Sequence, residues 1–224
     1  LFITLTIAVL YLLSTPPIYT RTAAILVKDN SKSSSSTSAM NDFSDLGIFK
    51  SNTNINNELL TLKSPTLMTE VVNRLGLNET FTIRKGLKNV DLYKVSPVTI
   101  TFCDKIEVPL SFTIKFSSKE AFAISELEIS GEDIGETLSA QMGDSIQTSA
   151  GIMIVSPTQE FTDAFIGTSI RYVRGSVRAA VDTYSNALVA ELGNEDATII
   201  NLSINDTSIR KAEDILNTLI EVYN

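Results

Sequence analysis

The first thirteen residues, LFITLTIAVLYLL, carry no charge, and only two threonines and a tyrosine interrupt the apolar run. A helix that crosses bilayer hydrocarbon needs about 20 such residues, so this run is too short to span alone. The chain opens on Leu1 and not on Met, and residues 1–14 read as the C-terminal part of a transmembrane helix completed upstream. Two other readings stand beside it, a signal-peptide core and a buried core helix. A signal core is followed by a small-residue cleavage site. Here the continuation is Ser14-Thr15-Pro16-Pro17-Ile18-Tyr19, with a tyrosine suited to a membrane interface. No later segment is apolar enough to cross back.

Beyond the prolines, Ile18 to Lys28 (IYTRTAAILVK) is rich in β-branched residues and predicts a strand. Residues 29–50 turn polar around SKSSSSTSAMNDFSD, which lacks the apolar area to order itself. A mobile surface loop is expected there, with serine phosphorylation as the sharper alternative. Asn54 to Lys63 (NINNELLTLK) reads as a helix. Ser64 and Pro65 then supply an N-cap and a first-turn proline for a second helix. That helix sets Leu67, Met68, Val71, Val72 and Leu75 on one face and stops at Gly76.

Residues 81–174 change character. Short strands are predicted at Val98–Cys103, Ser111–Phe116, Ala121–Ile124, Glu126–Ile129, Ile152–Val155 and Ser169–Val173, punctuated by glycines at 131, 135, 143 and 151. Phe112, Ile114 and Phe116 alternate with polar residues, as in an antiparallel or mixed sheet with one solvated face. A helix follows from Val177 to Leu188, capped by Ser176, with Val177, Ala180, Val181, Tyr184 and Leu188 on one side. After a turn at Gly193-Asn194 come a strand, Ala197 to Ile204, and a helix capped by Asp206 or Ser208. Its residues Ile209, Ala212, Leu216, Leu219 and Tyr223 step in threes and fours, which suggests the start of a longer helix cut at Asn224. Fewer than three heptads is too little for a coiled coil.

Composition narrows the chemistry. There is no histidine, which removes Ser-His-Asp and Cys-His catalysis, His-bearing zinc sites and haem ligation through His. Eighteen Lys and Arg stand against 26 Asp and Glu, a formal charge of −8, which argues against nucleic acid and against a polybasic grip on lipid. The one cysteine, Cys103, forms no internal disulfide and leaves the compartment open. No P-loop, G-x-S-x-G elbow, H-E-x-x-H or EF-hand spacing occurs. An all-carboxylate or Ser/Lys mechanism survives these exclusions, but nothing points to one, so no catalytic, cofactor-binding or metal-ligating residues are expected.

Glu126, Glu128, Glu132 and Asp133 could form a glycosidase carboxylate pair. The tract lacks an aromatic platform, however, and the chain has no Trp; a solvated strand edge is the plainer reading. Arg171, Arg174 and Arg178 stand out in an acidic chain. Their forks suit carboxylates of a neighbouring subunit or an anionic glycan, or they are ordinary surface arginines between a strand end and a helix start. The triplets at Asn78, Asn201 and Asn205 match glycosylation sequons, but such triplets are common by chance and Asn201 falls mid-strand.

The order of these pieces resembles a family. Pro17-Ile18-Tyr19 and Ala23-Ala24-Ile25-Leu26-Val27 follow the apolar start. Next come Asn56-Asn57-Glu58, Leu62-Lys63-Ser64 and Val71-Val72-Asn73-Arg74-Leu75-Gly76-Leu77. At the far end, Ala197 to Ser203 (ATIINLS) precedes Lys211-Ala212-Glu213-Asp214-Ile215-Leu216-Asn217 and Tyr223. This looks like the N-terminal chain-length-determinant domain of bacterial polysaccharide copolymerases, Wzz-type proteins and Wzc-type tyrosine kinases. Pro17, Tyr19, Asn57, Glu58, Ser64, Leu216 and Asn217 are the positions that match its motifs.

The resemblance implies an α+β fold: a membrane-proximal mixed sheet packed by helices and built from both chain ends, with the strand-rich middle as an addition. Residues 15–224 would form one periplasmic domain. Its partners would be further copies of itself, inner-membrane lipid and the polysaccharide polymerase or export machinery, with no nucleic acid and no cofactor. The role implied is non-catalytic regulation of O-antigen, capsule or exopolysaccharide length at the bacterial inner membrane. Kinase-bearing relatives keep their nucleotide site in a cytoplasmic C-terminal part, and none of that lies in this segment. Two other classes remain: a membrane-anchored glycan-active enzyme using carboxylates, and an adhesion or solute-binding ectodomain.

Overall fold

The computed structural model describes residues 2–27, 48–104, 106, 108–193 and 199–224, and for 48–54 the backbone alone. Most of the Ser-rich loop expected over 29–50 lies outside the described residues, as do Asn194 and the first two residues of the Ala197–Ile204 strand. In chain order the elements are α1 (Phe2–Ser14), β1 (Tyr19–Leu26), α2 (Ile48–Leu62), α3 (Pro65–Leu75), β2 (Glu79–Lys85), β3 (Lys88–Asp91), β4 (Val98–Phe102), β5 (Leu110–Phe116) and β6 (Ala121–Ile129). Then follow β7 (Glu132–Asp133), β8 (Leu138–Gln141), β9 (Ser145–Thr148), β10 (Gly151–Pro157), β11 (Ser169–Arg174), α4 (Val177–Ala187), β12 (Leu188–Leu192), β13 (Ile199–Asp206) and α5 (Ile209–Tyr223). The chain forms two compact units, Leu1–Ile18 with Gly76–Ala180 and Tyr19–Leu75 with Val181–Asn224. The α+β class holds, and every registered strand pair is antiparallel where a mixed sheet was expected.

The unit built from Tyr19–Leu75 and Val181–Asn224 is a three-stranded sheet in the order β1-β13-β12 with helices on one face. Along β13, Ile200, Leu202 and Ile204 are buried and Ile199, Asn201 and Asn205 are exposed, the period of two that a half-covered sheet demands. The helix α5 lies on β1 and β13, and α3 packs against α5. Of the caps expected in this layer, Ser64 and Gly76 hold, and Ser208 is the one of its two alternatives that caps α5. The Ser64 hydroxyl accepts from the Thr66 amide (3.3 Å), Gly76 closes α3 at φ +62°, and Ser208 accepts from the Lys211 amide. The buried stripe of α5 is Ala212, Ile215, Leu216 and Leu219 with Lys211, whereas Ile209, expected inside, is exposed. Between helix and strand, β12 begins one residue after α4 ends, where a helix to Leu188 and then a turn were expected. Leu188 and Ala190 alternate with Val189 and Glu191, but four residues give too short a pattern to separate from the helical stripe before them.

The other unit holds two antiparallel sheets. One runs β3-β2-β11-β5-β6-β7, with β8 also on β6; the second is β4-β10-β9. Their inner residues form one buried cluster, including Phe112, Ile114, Phe122, Ile170 and Tyr172 from the first sheet and Val98, Met153 and Val155 from the second. The two strands expected at 121–124 and 126–129 are a single β6 carrying a bulge. Its register against β5 shifts between Ser111 and Thr113, and Glu126 sits at φ +55°. Phe122 and Ile124 point inward, and the extra residue lets Leu127, three further on, point inward as well.

Two outcomes test the helical layer. Val72 on α3 is fully buried. Val72→Asp therefore places an unpaired carboxylate in the core at several kcal/mol, comparable with the ~5–15 kcal/mol that holds a domain folded. A loss of cooperative thermal unfolding by circular dichroism is expected, and an unchanged melt would show that this face is open. At the far end of α5, the Tyr223 hydroxyl donates to Glu58 on α2 at 2.7 Å. Burial, helped by that carboxylate, pushes the Tyr223 hydroxyl up to about 12. The bond's contribution is complete below pH ~10 and fades as pH climbs towards 12. Tyr223→Phe should cost about 1 kcal/mol at neutral pH, a gap in melting temperature that closes between pH 10 and 12.

Candidate functional site

On a strand, residues three apart face opposite sides, so β11 separates two of the arginines that sequence groups together. Arg171 lies on the outer face of its sheet, between Thr82 on β2 and Thr113 on β5. Its Nη2 donates to the Ser111 hydroxyl (3.0 Å) and to Glu128 Oε2 (3.0 Å), and Nη1 stands 3.8 Å from Glu126 Oε2. The same oxygens accept from Ser111 Oγ (2.8 Å) and Thr113 Oγ1 (2.7 Å). The bulge lets Ile124 and Leu127, three residues apart, both face inward while Glu128 stays on the outer side opposite Ser111. The three charged side chains keep 39–65% of their surface exposed, so each pair is worth about 1 kcal/mol or less. What the network fixes is geometry.

Arg174 points the other way. Its Nη1 is 3.5 Å from Glu79 Oε1 and its guanidinium stands 5.1 Å from the centroid of the Phe102 ring, a cation–π placement. Beneath it, Tyr172 sits among Phe81, Phe112 and Phe102, with ring centroids 5.0, 5.0 and 6.4 Å away. Burial, reinforced by the charge of Glu79, pushes the Tyr172 hydroxyl well above its usual range. Arg174 thus closes one end of the aromatic core. Arg178, exposed in the first turn of α4, makes no ion pair with another described residue. The structure does not bring the three arginines together.

The carboxylates divide similarly. Glu126 and Glu128 are held as hydrogen-bond and ion-pair acceptors by an arginine and two hydroxyls. Glu132 and Asp133 are exposed on β7, and Asp133 Oδ1 accepts from the Gly135 amide (2.8 Å), shaping a turn. Among the described residues no three Cys, Asp or Glu side chains gather as a metal site. Sequence reading missed the hydroxyls of Ser111 and Thr113 and the role of Glu79. The signal was present in Ser111-Phe112-Thr113, whose alternation places both hydroxyls on the outer face.

The motif positions at the two chain ends act chiefly as framework. Pro17 is exposed between α1 and β1, and Tyr19 opens β1 opposite Asp206. The Asn57 carbonyl accepts from Thr61 Oγ1 (2.9 Å) inside α2. Glu58 receives Tyr223, Ser64 caps α3 and Leu216 is buried in α5, while Asn217 beside it is exposed. The Glu58–Tyr223 bond joins the two resembling segments directly. Arg74 adds a second tie, held by Glu70 (2.8 Å) and 3.5 Å from Glu221 on α5.

Among solved structures, two crystal forms of Xanthomonas campestris FlgL are similar at 16% identity, covering 66% of this chain and 45% of theirs, with TM-scores of 0.18 and 0.17. The chain spans less than half the length of those proteins, and scores this low carry no argument about its fold or role. No curated protein matches the sequence. Residues 1–75 match the family model for Wzz, chain length determinant protein. That segment runs from α1 to the end of α3 and contains Pro17, Tyr19, Asn57, Glu58 and Ser64. The resemblance read from the chain's two ends is thereby shown over residues 1–75, which carry the pattern of the chain length determinant family.

Proposed function

We propose that this chain is the periplasmic part of a polysaccharide copolymerase, acting as a homo-oligomeric scaffold that helps set the length or export of O-antigen, capsule or exopolysaccharide. The match over residues 1–75 supports a role in regulating polysaccharide chain length, and a non-catalytic one. One observation carries the reading beyond that segment. The matched β1 and α3 are completed by β13 and α5 from the far end, into one unit with its own sheet and helical layer. That is the arrangement the resemblance implies for a domain made of both chain ends. The uncovered face of its sheet, where Thr22, Ala24, Asn201 and Ser203 stand in facing rows and line a depression, is a surface on which copies can meet.

In this reading α1 lies in the inner membrane. None of the described helices is long and apolar enough to cross a membrane. The 13 residues of α1 make about 20 Å of helix against ~30 Å of hydrocarbon. Yet α1 buries no residue, and Phe2, Ile3, Tyr11 and Leu12 are 67–84% exposed. Lipid around the end of an anchor is the surrounding such a surface suits.

The chain supplies its own topology probe, since its single cysteine, Cys103, is exposed. In cells whose outer membrane alone is permeabilised, a membrane-impermeant maleimide should label Cys103, and labelling only after inner-membrane lysis would overturn the periplasmic placement. The functional test is a gel ladder of surface polysaccharide at matched protein levels. Glu132→Ala and Asp133→Ala should leave the ladder unchanged, whereas losing a true general acid or base lowers a rate by about 100-fold or more. Arg178→Glu should shift the modal length if this exposed arginine meets a neighbouring subunit. Arg178 is the clean choice, because reversing Arg171 or Arg174 also breaks pairs within the fold.

A further inference from the structure

The net charge of −8 conceals one strongly basic place. Within Ile83-Arg84-Lys85-Gly86-Leu87-Lys88 there are three cations and no carboxylate. The structure folds them into the β2–β3 hairpin, whose turn is Gly86-Leu87 with Gly86 at φ +63°. A glycine at the first central position is what a tight hairpin of this kind selects. The register sets Lys85 directly opposite Lys88. Like charges facing each other across a ladder repel. No ion pair joins Arg84, Lys85 or Lys88 to another described residue. The Arg84 Nε donates to the Gly86 carbonyl (3.3 Å), which folds the guanidinium back over the turn. At the apex, Leu87 is 49% exposed.

A like-charged pair with no ion-pairing carboxylate among the described residues is suited to an anion from outside the unit. Two features decide which kind. The hairpin turn adjoins the edge strand of its sheet, with Arg84, Lys85, Gly86 and Leu87 all exposed. And its apex is an apolar side chain between cations, the pattern that enters a headgroup layer, with leucine among the acyl chains and lysines at the phosphates. We infer that the β2–β3 hairpin docks on an anionic lipid surface through Leu87, Arg84, Lys85 and Lys88. Each cation near such a surface contributes about fivefold in partition, so three give on the order of a hundredfold. That is enough to hold and orient a unit already tethered to a membrane, and too little to recruit it from solution.

This goes beyond the anchoring of α1, and one experiment separates them. The chain has no tryptophan, so Leu87→Trp in the full chain creates a single reporter at the tip. Its melt, compared with that of the parent chain, verifies the fold. Vesicles of phosphatidylcholine with 30% phosphatidylglycerol should shift the emission to the blue, pure phosphatidylcholine should not, and 0.5 M salt should reverse the shift. Adding Lys85→Glu and Lys88→Glu should abolish it. Cosedimentation with pure phosphatidylcholine reads α1 separately. If the chain cosediments but the tryptophan stays silent on anionic vesicles, the hairpin inference is wrong and the anchor stands. If the emission moves with a soluble polyanion such as heparin and not with vesicles, the tip binds an acidic polymer and the lipid assignment is likewise overturned. If it moves equally on neutral vesicles, the cations are irrelevant and the assignment falls.

Discussion

The ladder between β1 and β13 is the constraint on which the helical unit rests. Eight residue pairs, from Tyr19 opposite Asp206 to Leu26 opposite Ile199, join parts of the chain that lie almost its whole length apart. Loop-closure entropy grows only with the logarithm of the intervening length, so a long excursion adds little thermodynamic cost once the ladder forms. Register is where the ladder is strict. A slip of one residue would carry Ile200, Leu202 and Ile204 to the open face and present Asn201 and Asn205 to α5. Such non-local pairing is slow to form.

The strand-rich unit solves its packing differently. One bulge keeps β6 continuous while changing which residues face inward, and it requires a non-glycine residue, Glu126, in the left-handed region. That conformation is strained by about 1–3 kcal/mol. Its carboxylate is held in return by Thr113 and faces Arg171, so the strain and the polar network occupy the same site. Three ion pairs tie parts of this unit together: Arg171 with Glu128, Arg174 with Glu79, and Lys119 with Asp163.

Much of this was legible in the sequence where a local rule is strong. Ser64-Pro65 and Gly76 bracket α3 because caps act through adjacent atoms, and Ile200 to Ile204 alternate because one sheet face is covered. The β2–β3 hairpin and β12 were not legible as strands. In Thr80 to Lys85 the apolar residues are few and flanked by charges, and β12 continues a helical stripe without a break. The bulge at Glu126 was misread as a gap between two strands, since residue 126 is not a glycine and nothing else marks a left-handed position. Arg171 and Arg174 looked like one cluster because proximity in sequence says nothing about sides until the strand is known. The motif residues Glu58 and Tyr223 were noticed separately; that they touch is a property of the closed sheet and not of either segment.

Where residues 76–180 leave and rejoin the rest of the chain, the two connecting stretches are stitched together. The Gly175 amide donates to the Asn78 carbonyl at 2.8 Å, and the Asn78 side-chain amide reaches back to the Gly175 carbonyl at 3.5 Å. A segment whose entrance and exit are clamped side by side makes one modest geometric demand on its host: a gap bridgeable by a few residues. Such a segment behaves as a cassette. Its length and content can change without a change in the register of β1 on β13, because its two ends meet at that clamp.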